Sequence, residues 1–138
     1  MNKQTQNIIN VLLTLVAIYL YSFTAGNIET EILGFNSFKF LISIAVLIQF
    51  LIFLPSFIFK TEKFYDLTGS LTYIAVTSIA YFSVDNPTTT DTILYLYVII
   101  WAGRLGIFLF RRINKDGKDE RFDKAKKKFF WFLQYWMG

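Results

Sequence analysis

One apolar segment decides the fold class of this chain. Residues 38–59 read FKFLISIAVLIQFLIFLPSFIF, and Lys39 is the only charged residue in the segment. About 20 apolar residues in an α-helix are enough to cross the roughly 30 Å of hydrocarbon in a bilayer. The segment therefore predicts a transmembrane helix.

Three further apolar stretches of comparable length accompany it, at about 8–25, 67–84 and 92–110. A last aromatic-rich run, 129–138, is too short to span and reads as the start of a fifth helix, with an interfacial anchor as the alternative. We predict an all-α polytopic transmembrane helix bundle with four full spans plus the start of a fifth. It forms a single transmembrane domain over 1–138, and we expect the chain to be truncated.

The composition favours lipid burial and excludes several kinds of site. Hydrophobic residues make up 54% of the chain and aromatic residues 20%, with a mean hydropathy of +0.44. A soluble core of this size could not hide so much apolar surface. The chain has no Cys and no His, which excludes disulfides, thiol nucleophiles and nearly all zinc sites. No metal site is predicted.

The distribution of charge predicts the orientation in the membrane. Nine of the fourteen Lys and Arg residues fall between Arg111 and Lys128, whereas the connectors after the first and third stretches carry acidic residues. Cytoplasmic loops are enriched in Lys and Arg, so the N-terminus, the loop at Lys60 and the loop 111–128 are expected in the cytoplasm. The expected partner of this charge is the anionic leaflet rather than nucleic acid.

Polar residues inside the predicted spans mark candidate interior faces. In the third stretch Asp66, Ser70, Tyr73 and Thr77 follow at i, i+4, i+7 and i+11, which is one helical face. Such a stripe is typical of a cavity wall, although Ser and Thr also bond neighbouring helices in membrane bundles. Gln49 lies near the middle of the second stretch, where its amide needs partners.

Arg104 is the most costly residue in the predicted spans. An Arg at mid-bilayer costs about 2.5–3.5 kcal/mol on insertion scales, and Gly103 and Gly106 beside it would let a helix or a ligand come close. Asp66 is the nearest counter-charge by topology. Two readings stay open, a structural Asp66–Arg104 pair and an anion-binding Arg104 oriented by that pair.

Several of these segments together resemble a known family. They are FYDLTGS at 64–70, WAGRL at 101–105, the pair Arg111-Arg112 and KDERF at 118–122. In this order and spacing they resemble the steroid 5-alpha-reductase-like family of bacterial multi-pass membrane proteins, from about Phe57 to the end. The family's later helices carry an Asn-Pro-aromatic motif that has no counterpart here, so the resemblance covers the N-terminal half only.

The resemblance implies a membrane-embedded oxidoreductase acting on CH–CH groups, which uses NADPH to reduce a carbon–carbon double bond in a lipid or steroid-like substrate. The implied location is a bacterial inner membrane. The implied catalytic donors are Tyr73 and Gln49, and Asp66 has a structural or orienting role. The implied cofactor-binding residues are Arg104, Arg111, Asp119 and Arg121. As a fragment the chain is expected to be inactive and to bind NADPH poorly.

Two other functions remain open at this point. One is a non-enzymatic four-helix membrane subunit or assembly factor whose polar stripes only pack against partners. The other is a transporter fragment in which Asp66 and Arg104 line a solute path. The expected partners of the reductase are the lipid bilayer, a lipid-like small-molecule substrate, and the missing C-terminal helices or a partner chain, with no nucleic acid.

Overall fold

A computed structural model of the chain describes residues 3–24, 31–117 and 122–137. This part of the chain is a bundle of five α-helices, which confirms the predicted all-α fold class. The helices are α1 (Lys3–Thr24), α2 (Ser37–Ile58), α3 (Tyr65–Phe82), α4 (Thr89–Asp116) and α5 (Phe129–Met137). A short 3₁₀ turn, Ala125–Lys127, precedes α5.

Within the described residues, three helices are long and apolar enough to cross a membrane: Gln4–Phe23, Ser37–Ile58 and Thr89–Asp116. This finding is consistent with a multi-pass integral membrane protein. The third predicted span, 67–84, corresponds to α3, which is a helix of 18 residues but does not belong to this set. At about 27 Å it is slightly shorter than the hydrocarbon layer, and Asp66 and several hydroxyl residues lower its hydropathy.

Helix α4 is longer than the apolar pattern indicated. It begins with a capping box in which the Thr88 side chain accepts from the backbone N–H of Asp91 and the Asp91 carboxylate accepts from the backbone N–H of Thr88. It ends at Gly117, whose φ of +80° suits a residue without a side chain. The loop that was predicted to begin at residue 111 therefore begins six residues later in the structure. Arg and Lys are good helix formers and continue the helix past the apolar run.

The connector between α1 and α2 contains a small hairpin that was not predicted. Strands β1 (Glu31–Ile32) and β2 (Phe35–Asn36) pair antiparallel, with Glu31 opposite Asn36. The two turn residues, Leu33 and Gly34, both have positive φ, as a type I′ hairpin turn requires. The Asn36 side chain then accepts from the backbone N–H of Lys39 and caps α2.

The core of the bundle is aromatic and centres on Phe53 of α2. Its ring centroid lies 5.3 Å from that of Phe129, 5.5 Å from Phe132 and 5.9 Å from Trp136, all on α5. Val11 of α1 joins the same cluster. The predicted start of a fifth helix is thus a helix that supplies buried residues to the core.

Helices α3 and α4 form an antiparallel pair with a continuous side-chain interface. Near the connector Tyr81 bonds the Thr92 hydroxyl at 2.9 Å and stacks on Tyr95 with ring centroids 4.4 Å apart. Further along, Tyr73 meets the Trp101 ring edge to face at 5.3 Å. This pair forms the frame on which the candidate site is built.

Candidate functional site

A cavity of about 190 Å³ lies where α2, α3, α4 and α5 meet. It brings together Gln49, Asp66 and Tyr73, three of the residues singled out in the sequence. The lining residues are Gln49, Tyr65, Asp66, Gly69, Ser70, Tyr73, Leu105, Leu109 and Trp136. A cavity with few polar groups among apolar and aromatic walls is typical of a small-molecule site.

The polar face of α3 forms one wall of this cavity. Asp66, Ser70 and Tyr73 all line it, whereas Thr77, the last member of the predicted stripe, does not. The Ser70 hydroxyl donates to the backbone carbonyl of Asp66, four residues earlier, at 3.3 Å. Three of the four members of the stripe therefore line a cavity, and the bond of the Ser70 hydroxyl stays within α3 and does not reach a neighbouring helix.

Gln49 is held in place by a short chain of hydrogen bonds. Its Nε2 donates to the Thr72 hydroxyl at 3.3 Å, and that hydroxyl donates to the backbone carbonyl of Thr68 at 2.8 Å. An amide nitrogen has two N–H groups. One orients the side chain, and the second bonds no residue in the described part of the chain.

The Tyr73 hydroxyl is a free donor as far as the described residues show. Its ring packs against Trp101, and the residue is 53% exposed. No hydrogen bond joins its hydroxyl to any residue in the described ranges. The site therefore offers two neutral donors, Tyr73 and Gln49, on facing helices.

Asp66 pairs with Arg112 and not with Arg104. The Asp66 carboxylate lies 3.7 Å from the Arg112 guanidinium, and the Arg side chain is 46% exposed. The suggested Asp66–Arg104 pair is wrong, because Arg104 lies eight residues, or about 12 Å, further along α4. Asp66 lines the cavity and pairs with Arg112, and its orienting role stays a prediction.

Arg104 lies outside the cavity, in a separate recess of about 240 Å³ with Trp101, Leu105 and Phe108. Arg111 follows seven residues later on the same face of α4, and both are exposed. Neither contacts a carboxylate of the residues that the structure describes. The other two predicted cofactor residues, Asp119 and Arg121, lie outside the described residues.

Sequence reasoning missed Trp136 of α5, which lines the cavity. The residue is 3% exposed, and its Nε1 is buried with no hydrogen-bond partner among the described residues. Buried indole N–H groups usually have a partner. The signal was present in the final run, where Phe129, Phe132 and Trp136 follow at i, i+3 and i+7 and predict one buried helical face.

An ion cluster around the buried Glu62 was also missed. Glu62 is 5% exposed, and the Lys126 ammonium contacts its two carboxylate oxygens at 3.0 and 3.3 Å and Asp123 at 3.2 Å. Burial opposes the charge of Lys126, but its bonds to Glu62 and Asp123 outweigh that effect and raise its pKa. The cluster joins the α2–α3 connector to the turn before α5, residues 64 positions apart.

Comparison with known proteins places the chain in a family. No curated protein and no solved structure matches it. One family model matches residues 52–137, which include the end of α2 and all of α3, α4 and α5, and therefore most of the residues that line the cavity. Because this match covers more than half of the 138 residues, the chain belongs to the family described as "Protein of unknown function (DUF1295)".

Proposed function

We propose that the chain is part of a membrane-embedded NADPH-dependent reductase of carbon–carbon double bonds in a lipid or steroid-like substrate. The observation that carries the proposal is the convergence of Tyr73 and Gln49 on one largely apolar cavity between helices. The resemblance to steroid 5-alpha-reductase-like proteins supports it, since the segments that carry the resemblance all fall within the matched residues 52–137.

The chemistry of such a reaction matches the donors in the cavity. Reduction of a double bond conjugated to a carbonyl places negative charge on the carbonyl oxygen in the transition state. The Tyr73 hydroxyl and the second N–H of Gln49 are neutral donors that would stabilise this charge. Apolar walls, including Leu105 and Leu109, would exclude water and strengthen these bonds.

The size of the cavity restricts what part of a substrate it would hold. Pockets for drug-sized ligands measure about 300–1,000 Å³, whereas this cavity measures about 190 Å³. It would therefore take the reacting end of a lipid-like molecule, with the remainder outside between helices or in the bilayer.

The exposed cations of α4 fit the phosphates of a dinucleotide. Arg104 and Arg111 share one face, and neither contacts a described carboxylate. Guanidinium groups bind phosphate oxygens in a bidentate manner, so Arg104, Arg111 and Arg121 would hold the phosphates. Asp119 would accept a hydrogen bond from a hydroxyl group of the cofactor. NADPH would supply the hydride when bound, and a proton from solvent would then complete the saturated product.

The test is a turnover measurement on the full-length protein in proteoliposomes with NADPH and a panel of lipid-like enones. Tyr73→Phe should lower kcat about 10²–10³-fold, the loss typical of one oxyanion donor. Tyr97→Phe is the matched control, because Tyr97 is 69% exposed on α4 and does not line the cavity. Unchanged turnover in Tyr73→Phe would remove it from the site, and absence of NADPH binding to the full-length protein would favour a subunit or transporter instead.

A further inference from the structure

A second and larger recess lies between α1 and α2, apart from the site described above. It measures about 600 Å³ and opens to the surface of the bundle. Val11 joins the core on α5 and Leu15 packs against that core. After Leu15 the first helix leaves an open groove along α2, whose floor is apolar and includes Ile18, Ile42 and Val46.

One end of this groove is polar and cationic. Lys39 lines it from the first turn of α2, and its ammonium lies 5.4 Å from the centroid of the Phe23 ring. No carboxylate of a described residue contacts Lys39. Ser22, which is 7% exposed, and Ser43 lie at the same end. A cation at one end and apolar walls along the rest match an anionic amphiphile.

The length and the charge of the groove indicate a phospholipid as its occupant. Lys39 to Phe50 extends about 16 Å along α2, at 1.5 Å per residue. This is about half of the roughly 30 Å of hydrocarbon in a bilayer, which is the depth that one acyl chain fills. The α1 and α2 helices of a second copy would bring no carboxylate to Lys39, because neither contains Asp or Glu, whereas a phospholipid brings a phosphate to this end of the groove.

We propose that the α1–α2 groove binds a membrane phospholipid with an anionic headgroup. Its phosphate lies at Lys39, and one acyl chain runs between the two helices past Val46 towards Phe50. Both helices belong to the set that can span a membrane, so the groove lies at the depth of the bilayer. The groove lies before Ile52, outside the residues of the family match, so this site stands or falls separately from the reductase proposal.

Native mass spectrometry of the detergent-purified chain tests the headgroup contact. After delipidation, phosphatidylglycerol should rebind as one retained molecule more strongly than phosphatidylcholine. Lys39→Gln should lower phosphatidylglycerol occupancy roughly fivefold, in line with the loss of one basic group near a phosphate. Lys63→Gln, an exposed lysine on the α2–α3 connector, should leave it unchanged.

A second pair of variants tests the position of the acyl chain. Val46→Trp fills the groove and should abolish retention of phosphatidylglycerol, whereas Leu54→Trp, on a half-exposed position of α2 outside the groove, should not. Circular dichroism should show the same helix content in both variants. Three outcomes would overturn the proposal. They are equal retention of phosphatidylglycerol in Val46→Trp and Leu54→Trp, a dimer that binds no lipid, and retention of free fatty acid in place of phospholipid.

Discussion

Gly106 of α4 lies so close to Ser70 of α3 that a β-carbon added at Gly106 would be 2.7 Å from the Ser70 Cβ and 2.8 Å from its Oγ. Atoms do not approach so closely in a relaxed structure, so the helix crossing depends on the missing side chain. Small residues allow this close approach of helix backbones in membrane bundles. Since Ser70 also lines the cavity, the crossing sets one dimension of the candidate site.

Gly106→Ala should therefore destabilise the protein although alanine is the better helix former. The expected loss is about 1–3 kcal/mol, the usual range for overpacking an interface, measured by reversible unfolding in detergent. Gly103→Ala is the matched control, because no atom lies within 4 Å of a β-carbon at Gly103. Equal stability of the two variants would contradict the close crossing.

The same crossing explains why the ion pair of Asp66 was assigned to the wrong partner. Tyr81 meets Thr92, Tyr73 meets Trp101 and Ser70 meets Gly106. Because the two helices are antiparallel, each step of one residue forward along α3 moves the contacting residue on α4 back by about one. This register places Asp66 opposite Arg112 and places Arg104 near the level of Thr72.

A double-mutant cycle can measure this pairing. We expect a coupling below about 1 kcal/mol between Asp66→Asn and Arg112→Gln, because the guanidinium is half exposed. The cycle of Asp66→Asn with Arg104→Gln should give no coupling. A larger coupling to Arg104 than to Arg112 would show that the register derived from the α3–α4 interface is incorrect.

Much of the fold was predictable because lipid burial leaves a strong pattern in the sequence. The run at 38–59 and α2 agree within one residue at each end. The polar stripe of α3 correctly placed Asp66, Ser70 and Tyr73 together, because helical periodicity fixes which residues share a face. Charged residues that continue a helix do not change the apolar pattern. The sequence therefore predicted the end of α4 at 110, whereas the helix ends at 116.

Contacts between distant segments were not predictable from periodicity. The bond from Lys126 to Glu62 depends on how the turn before α5 folds back onto the α2–α3 connector. The positive-φ turn at Leu33 and Gly34 was hidden because leucine rarely adopts that conformation. Trp136 was predictable as a buried residue, but its place in the cavity wall depends on the docking of α5.

Phe132 should be a main determinant of that docking. It is fully buried and contacts Phe53, Phe122 and Trp136. Phe132→Ala should cost about 3 kcal/mol, the lower end of the range for Phe→Ala in soluble cores. Phe108→Ala is the control, since Phe108 is 62% exposed on α4 and should change stability little. A Phe132→Ala variant as stable as Phe108→Ala would show that α5 does not pack on Phe53.

The ion cluster of Lys126 should give the protein a stability that depends on pH in the alkaline range. Hydrogen bonds to Glu62 and Asp123 raise the pKa of Lys126 above its ordinary value of 10.5 despite the opposing effect of burial. A raised pKa in the folded chain means that the stabilisation is fully present below the ordinary value and is lost as the pH rises through the raised one. Lys126→Gln should therefore be less stable than the unsubstituted chain at pH 8, and this difference should shrink above pH 10.5.

Lys127→Gln, at the exposed neighbouring position, corrects for the general effect of alkali on lysines. Melting curves of the three proteins between pH 8 and 11 provide the measurement, and a difference between Lys126→Gln and the unsubstituted chain that stays constant with pH would rule out a proton-linked role for the cluster.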